Sequence, residues 1–172
     1  MRNLATYLTP ETTLITQEDI ETYRQFLIEI LQATADSNGD AQVMYPLLAA
    51  NTDKLNDIFA KLLRHWATNT LPEAEPEAAT FIAAVIVTFS NLIQQFPLGS
   101  KASNMEIAIT GYEIALTIYT RSAFPEQWAD TQNNLGLAYS DRILGERADN
   151  IELAIAAYSA ALEVRTKSAF PV

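Results

Sequence analysis

The sequence predicts an all-α protein, an α-helical solenoid of helix pairs behind an N-terminal helical cap. Three observations carry this expectation. First, the apolar residues recur at helical spacing almost throughout, and two-residue alternation is hard to find beyond Thr12–Ile15. Second, a shift of 46 residues lays 104–125 over 150–171 with 12 identities in 22 positions, and several of the mismatches are conservative, such as Met105 with Ile151 and Arg121 with Lys167. A period of this size filled by helices marks stacked pairs, each burying its apolar face against its neighbours. Third, of the 172 residues 49% are apolar, with only 5 Gly and 7 Pro, which is the composition of a folded chain.

Thr16, with Asp19 three residues on, reads as a helix cap, and Ile20, Tyr23, Leu27, Ile30 and Leu31 line one face of the helix that follows. That helix should stop at Asp36-Ser37-Asn38-Gly39. A short second helix is expected after Asp40, with Pro46 kinking it or marking a fresh start. Thr52 and Asp53 read as the cap and first turn of a third helix whose stripe is Leu55, Ile58, Phe59, Leu62, Leu63 and Trp66 and which ends near Asn69. Pro72 and Pro76, interleaved with Glu73, Glu75 and Glu77, close an N-terminal unit, so the expected division is 1–78 for the cap and 79–172 for two 46-residue repeats. The loop repeats with the helices, because Leu98-Gly99-Ser100-Lys101 lies over Leu144-Gly145-Glu146-Arg147.

The spacing Gln132-x-x-Leu135-Gly136-x-x-Tyr139 and the positions Ala154, Tyr158 and Ala161, echoed by Ala108, Tyr112 and Ala115, resemble the tetratricopeptide repeat, with Gln132 where Trp is usual. Its period here is about twelve residues longer than the usual 34, and roughly half of that excess is expected in the inter-helix loop between Tyr139 and Ala154, the rest in the second helix or its exit. Asn133-Asn134-Leu135-Gly136-Leu137-Ala138-Tyr139, the loop from Gly145 to Asn150 and the join Ser122-Ala123-Phe124-Pro125 are similar to the long tetratricopeptide repeats of cyanobacterial proteins, which are similar in turn to kinesin-light-chain repeats. Ala41 to Asp57 resembles the N-terminal region of members in which the array leads into a caspase-like CHAT domain. The resemblance implies a right-handed solenoid and a protein-interaction scaffold, with the sensor or oligomerisation arm of a protease system as the alternative. No such catalytic domain is present in the sequence, and the natural protein is expected to continue past Val172.

The charge, 11 Lys+Arg against 21 Asp+Glu for a net −10, argues against nucleic acid as a partner. Zero cysteines exclude thiolate chemistry and suit a cytoplasmic protein. Met1–Pro10 lacks the apolar core of a signal peptide, and the oily run Phe81–Phe89 is too short to cross a bilayer, so no membrane association is expected. The single histidine, His65, has no second ligand at metal spacing, and the carboxylate pairs Asp141 with Glu146 and Asp149 with Glu152 fall where helix capping explains them. No phosphate loop or nucleophile elbow is found, so neither catalysis nor a cofactor is expected.

The resemblance places the first helix of each pair along an inner groove. Projected onto this chain, the groove residues are Asn91, Gln94 and Gln95 from one unit and Asp130, Asn133, Asn134, Leu137, Ser140 and Asp141 from the next. Amide side chains offer both a donor and an acceptor, so such a row can hold an extended peptide or protein segment by its backbone. Asn134 could equally tie neighbouring repeats together. A Lys/Arg clamp for acidic peptide ends is not seen. Trp128, Phe124 and Phe170 fall at the joints between units and are expected to pack there, and Glu106, Glu113, Glu152 and Glu163 are expected on the solvated convex face. The stripe Ile151, Ile155, Tyr158 and Leu162 is expected to leave an apolar edge through which the chain can self-associate.

Overall fold

The computed structural model describes residues 16–169, with side chains to Thr166. Phe170, the N-terminal ten residues and the alternating Thr12–Ile15 stretch lie outside the described residues. Seven α-helices and two short 3₁₀ turns make up the described chain, and no strand occurs among these residues.

Helix α1 (Gln17–Ser37) starts where local chemistry dictates. The Thr16 hydroxyl accepts from the Asp19 N–H at 3.1 Å, and the Asp19 carboxylate accepts from the Thr16 N–H at 3.2 Å, closing a capping box. It ends with Asn38 and Gly39 both at positive φ (52° and 72°), a left-handed exit that returns their N–H groups to carbonyls of the last turn. Helix α2 (Ala41–Ala49) is capped by Asp40 and runs on through Pro46.

Helix α3 (Asp57–Thr70) departs from the expectation at its start. Thr52–Lys54 forms a separate 3₁₀ turn, and the cap is Asn56, whose Oδ1 accepts from the N–H groups of Ile58 (3.1 Å) and Phe59 (3.2 Å). Asn56 wins because its Nδ2 also donates to the Tyr23 hydroxyl of α1 at 2.7 Å, a tertiary tie that Thr52 lacks.

Helices α4 (Pro76–Gln95), α5 (Lys101–Ala115), α6 (Pro125–Asp141) and α7 (Arg147–Ala169) follow. The expected junction at 78/79 falls inside the first turn of α4. The most extensive packing joins consecutive helices, α4 with α5 and α6 with α7, while α1 lies against α2, α3 and α4. The N-terminal helices meet the α4–α5 pair through α1–α4 and α3–α5, and α6 contacts both α4 and α5. One continuous apolar core runs from Phe26 through Phe59 and Phe89 to Ala138, so the N-terminal helices and the α4–α5 pair are not separately cored. Helix α4 is 20 residues long and apolar enough, by length and composition, to cross a membrane, but Ala83, Ile86, Phe89 and Ile93 are fully buried within the helical stack.

The repeat is structural as well as sequential. Asn104 and Asn150, each 2% exposed, donate from Nδ2 to the carbonyls of Leu98 and Leu144, both at 2.9 Å. Each closes an inter-helix loop through a glycine at positive φ, 75° at Gly99 and 81° at Gly145. These loops, 96–100 and 142–146, are five residues long, so the extra length expected between Tyr139 and Ala154 is not housed there. It goes into the helices and into the 116–124 connection, which must reverse the chain so that α6 can pack back on α5. At that joint Phe124 packs edge-on against Tyr119, ring centroids 5.6 Å apart, and Trp128 lies under the Arg121 guanidinium at 5.7 Å.

Candidate functional site

Helix α6 carries Asp130, Asn133, Asn134, Leu137, Ser140 and Asp141 at i, i+3, i+4, i+7, i+10 and i+11, a single stripe at the helical period. The rest of the helix surface buries Ala129, Thr131, Leu135, Gly136 and Ala138. Gly136 is required there: a Cβ on it would stand 2.9 Å from the Tyr158 ring of α7. In the α4–α5 pair the same close approach uses Ser90, fully buried, against Gly111.

The structure brings Asn91, Gln94 and Asn134 together around one hydroxyl. Tyr112 of α5, buried to its ring, points its OH at the Asn91 Oδ1 (2.6 Å) and the Gln94 Oε1 (2.7 Å). One O–H donates to one acceptor at a time, so the two amides share it. Asn134 Nδ2 donates to the same Asn91 Oδ1 at 3.1 Å and thereby ties α6 to α4. Burial pushes the Tyr112 phenol well above its usual range, which keeps it a donor at all ordinary pH.

The other expected residues are placed differently. Asp130 pairs with Arg165 of α7 at 2.8 Å, both largely exposed. The Ser140 hydroxyl donates to the Leu137 carbonyl, and its own carbonyl accepts from Arg147 at 2.6 Å. Leu137 is 47% exposed. Among the described residues the side chains of Gln95, Asn133 and Asp141 make no hydrogen bond. The α1–α2 corner rests on α4, where Gly39 lies against Thr88, the position that matches Asn134 one unit earlier. The open part of the face therefore begins at Asn91 and continues along α6.

A second polar network was not anticipated. Glu106, Glu113 and Glu163 are not simply solvated. Arg142 forks onto Glu106 with Nε–Oε1 at 2.6 Å and Nη2–Oε2 at 2.8 Å. Glu113 accepts from Arg64 of α3 at 2.9 Å and from the Tyr139 hydroxyl at 3.1 Å, and Glu163 pairs with Arg121 at 2.7 Å. The Glu106 and Glu113 contacts tie α3, α5 and the end of α6 together, and the Glu163 pair ties α7 to the 116–124 connection. Repeated positions do not have repeated surroundings in this chain. The signal was Arg142, which stands where the preceding unit has Phe96.

The Tyr139 phenol is pushed up to about 12 by burial, reinforced by the charge of Glu113 and its hydrogen bond. A phenol whose folded pKa lies above its unfolded value of 10 contributes stability that is complete below pH 10 and lost as pH rises towards 12. We expect the denaturation midpoint to fall over that interval and Tyr139→Phe to flatten the fall. An equal slope in the variant would contradict this role for Tyr139.

Asn69 Nδ2 donates to the His65 carbonyl at 2.8 Å and lies 3.2 Å from its Nε2. No group of three His, Asp or Glu side chains suited to a metal ion occurs among the described residues. Two apolar hollows lie away from the amide face, one of about 350 Å³ between α3 and α5 around Leu71 and Ile118, the other of about 290 Å³ among α1, α3 and α4 around Trp66 and Phe81. Searches for a matching protein-family model, curated protein or solved structure returned none.

Proposed function

We propose that this chain is a non-catalytic scaffold of the tetratricopeptide type, whose α4–α6 face holds an extended peptide or protein segment by its backbone. The observation that carries the reading is the amide row itself. Asn133 and Gln95 keep their donors and acceptors uncommitted among the described residues, beside the Asn134–Asn91 pair that Tyr112 holds in place. An amide fixed by a buried hydroxyl loses little further freedom on binding, and that preorganisation favours capture of a backbone over solvent. Leu137, in the middle of the stripe, supplies an apolar contact for a side chain of the bound segment. The small-residue contacts at Gly136 and Ser90–Gly111, and the duplicated Asn104 and Asn150 loops, support the repeat assignment.

Selection of random peptides displayed on phage against the whole chain tests the reading. Extended binders should be recovered, and Asn133→Ala should weaken them about tenfold with stability changed by less than about 0.5 kcal/mol. Asn134→Ala should both weaken them and cost about 1 kcal/mol, because it also breaks the tie to Asn91. Binders indifferent to Asn133→Ala would rule out the amide face.

A further inference from the structure

The hollow of about 290 Å³ among α1, α3 and α4 has apolar walls and an open mouth. Ile28, Leu31, Trp66, Phe81, Ile82 and Val85 line it, and Phe81 and Ile28 are 61% and 47% exposed. At its rim Gln32 Nε2 donates to Asp36 Oδ1 at 2.8 Å. A shallow trough along α1, from Glu21 to Gln32, runs into the hollow and shares Ile28 and Gln32 with it. Arg24, in that trough, is the one basic residue of α1, which carries five acidic ones.

We infer that residues 2–11 of this chain lie in the trough as an extended strap, antiparallel to α1, and close the hollow with Leu4 and Leu8. Reach permits it. The hollow lies about 18 to 30 Å along α1 from the cap at Thr16. A strap rising about 3.2 Å per residue, with two or three residues spent on reversing the chain, brings Leu8 level with Ile28 and Leu4 level with Asp36. The order of charges selects this occupant. Among residues 1–15 the one acid is Glu11 and the one base is Arg2. In the same register Glu11 comes within side-chain reach of Arg24, and Arg2 within reach of Asp36. A second copy that lays its own α1 in the trough sets five carboxylates against five, which repels it. A free partner has to displace a segment that its tether holds at a local concentration on the order of millimolar. The strap is separate from the α4–α6 amide face and does not rest on the peptide-holding reading.

The chain has no cysteine, so two introduced ones report the contact without interference. Thr6→Cys falls level with Gln32→Cys at an exposed position, and both leave Leu4 and Leu8 in place. On addition of diamide to a dilute solution of the whole chain, the pair should close as an intramolecular disulfide. Closure is expected about tenfold or more faster than for Thr6→Cys with Val43→Cys, which lies exposed on α2. Adding Leu8→Asp should slow it about tenfold, and adding Arg2→Glu about threefold, the latter recovered by Asp36→Arg. Circular dichroism of each variant checks that α1 is intact. Equal rates for the two cysteine pairs, or a rate indifferent to Leu8→Asp, would overturn the inference. So would disulfide-linked dimers as the main product, because a second copy would then occupy the trough.

Discussion

Gly111→Ala is expected to destabilise the protein by about 2 kcal/mol, and the same substitution made in a Ser90→Gly background is expected to stabilise it by up to about 1 kcal/mol. The reversal follows from one contact. A Cβ at residue 111 collides with the Ser90 hydroxyl, which is fully buried and donates to the Ile86 carbonyl at 2.7 Å, so it can move only by giving up that bond. With the Ser90 side chain gone only Ile86 Cγ2, 3.3 Å from the new Cβ, has to give slightly, and alanine's helix propensity, about 1 kcal/mol better than glycine's, is left to act. The α6–α7 pair already has this arrangement, with Gly136 at the position of Ser90 and Ala157 at that of Gly111. Urea denaturation of the two single variants and the double variant closes the cycle. Additive effects would mean that the two helices do not meet at this point.

Phe59→Ala should cost about 4 kcal/mol and lower the melting temperature by roughly 10 °C. Phe59 is 0% exposed and sits between Phe26 of α1 (centroids 5.4 Å) and Phe89 of α4 (6.0 Å), so its ring joins three helices. The loss should appear as one transition for the whole chain, because the N-terminal helices and the α4–α5 pair share a core. Two separate transitions in calorimetry, with only the earlier one shifted, would show that the 1–78 region folds as its own unit.

Much of this architecture was legible because it rests on short-range chemistry. The Thr16–Asp19 box, the Asn38-Gly39 exit and the Asp40 cap are each decided within three or four residues of sequence. The repeat revealed the paired helices and, through the Asn104–Asn150 identity, the paired loops. What escaped notice depends on partners far apart in the chain. Asn56 displaced Thr52 as a cap through Tyr23, 33 residues away, and Glu106 left the solvated class through Arg142, 36 residues away. Of the amide row, the stripe on α6 could be read from spacing alone. The division of labour within it, Asn134 tied to Asn91 and Asn133 left open, follows from the packing of α6 against α4 and the position of one tyrosine hydroxyl.

The proposed capture of a peptide backbone by the α4–α6 amide face can be followed in the ¹H–¹⁵N spectrum of the side-chain amides as a selected peptide is added. We expect the NH₂ signals of Asn133 and Gln95 to shift first, followed by that of Asn134, while the backbone signals of Leu71 and Ile118, at the hollow between α3 and α5, stay in place. Shifts confined to that hollow, with the three amides unmoved, would contradict it.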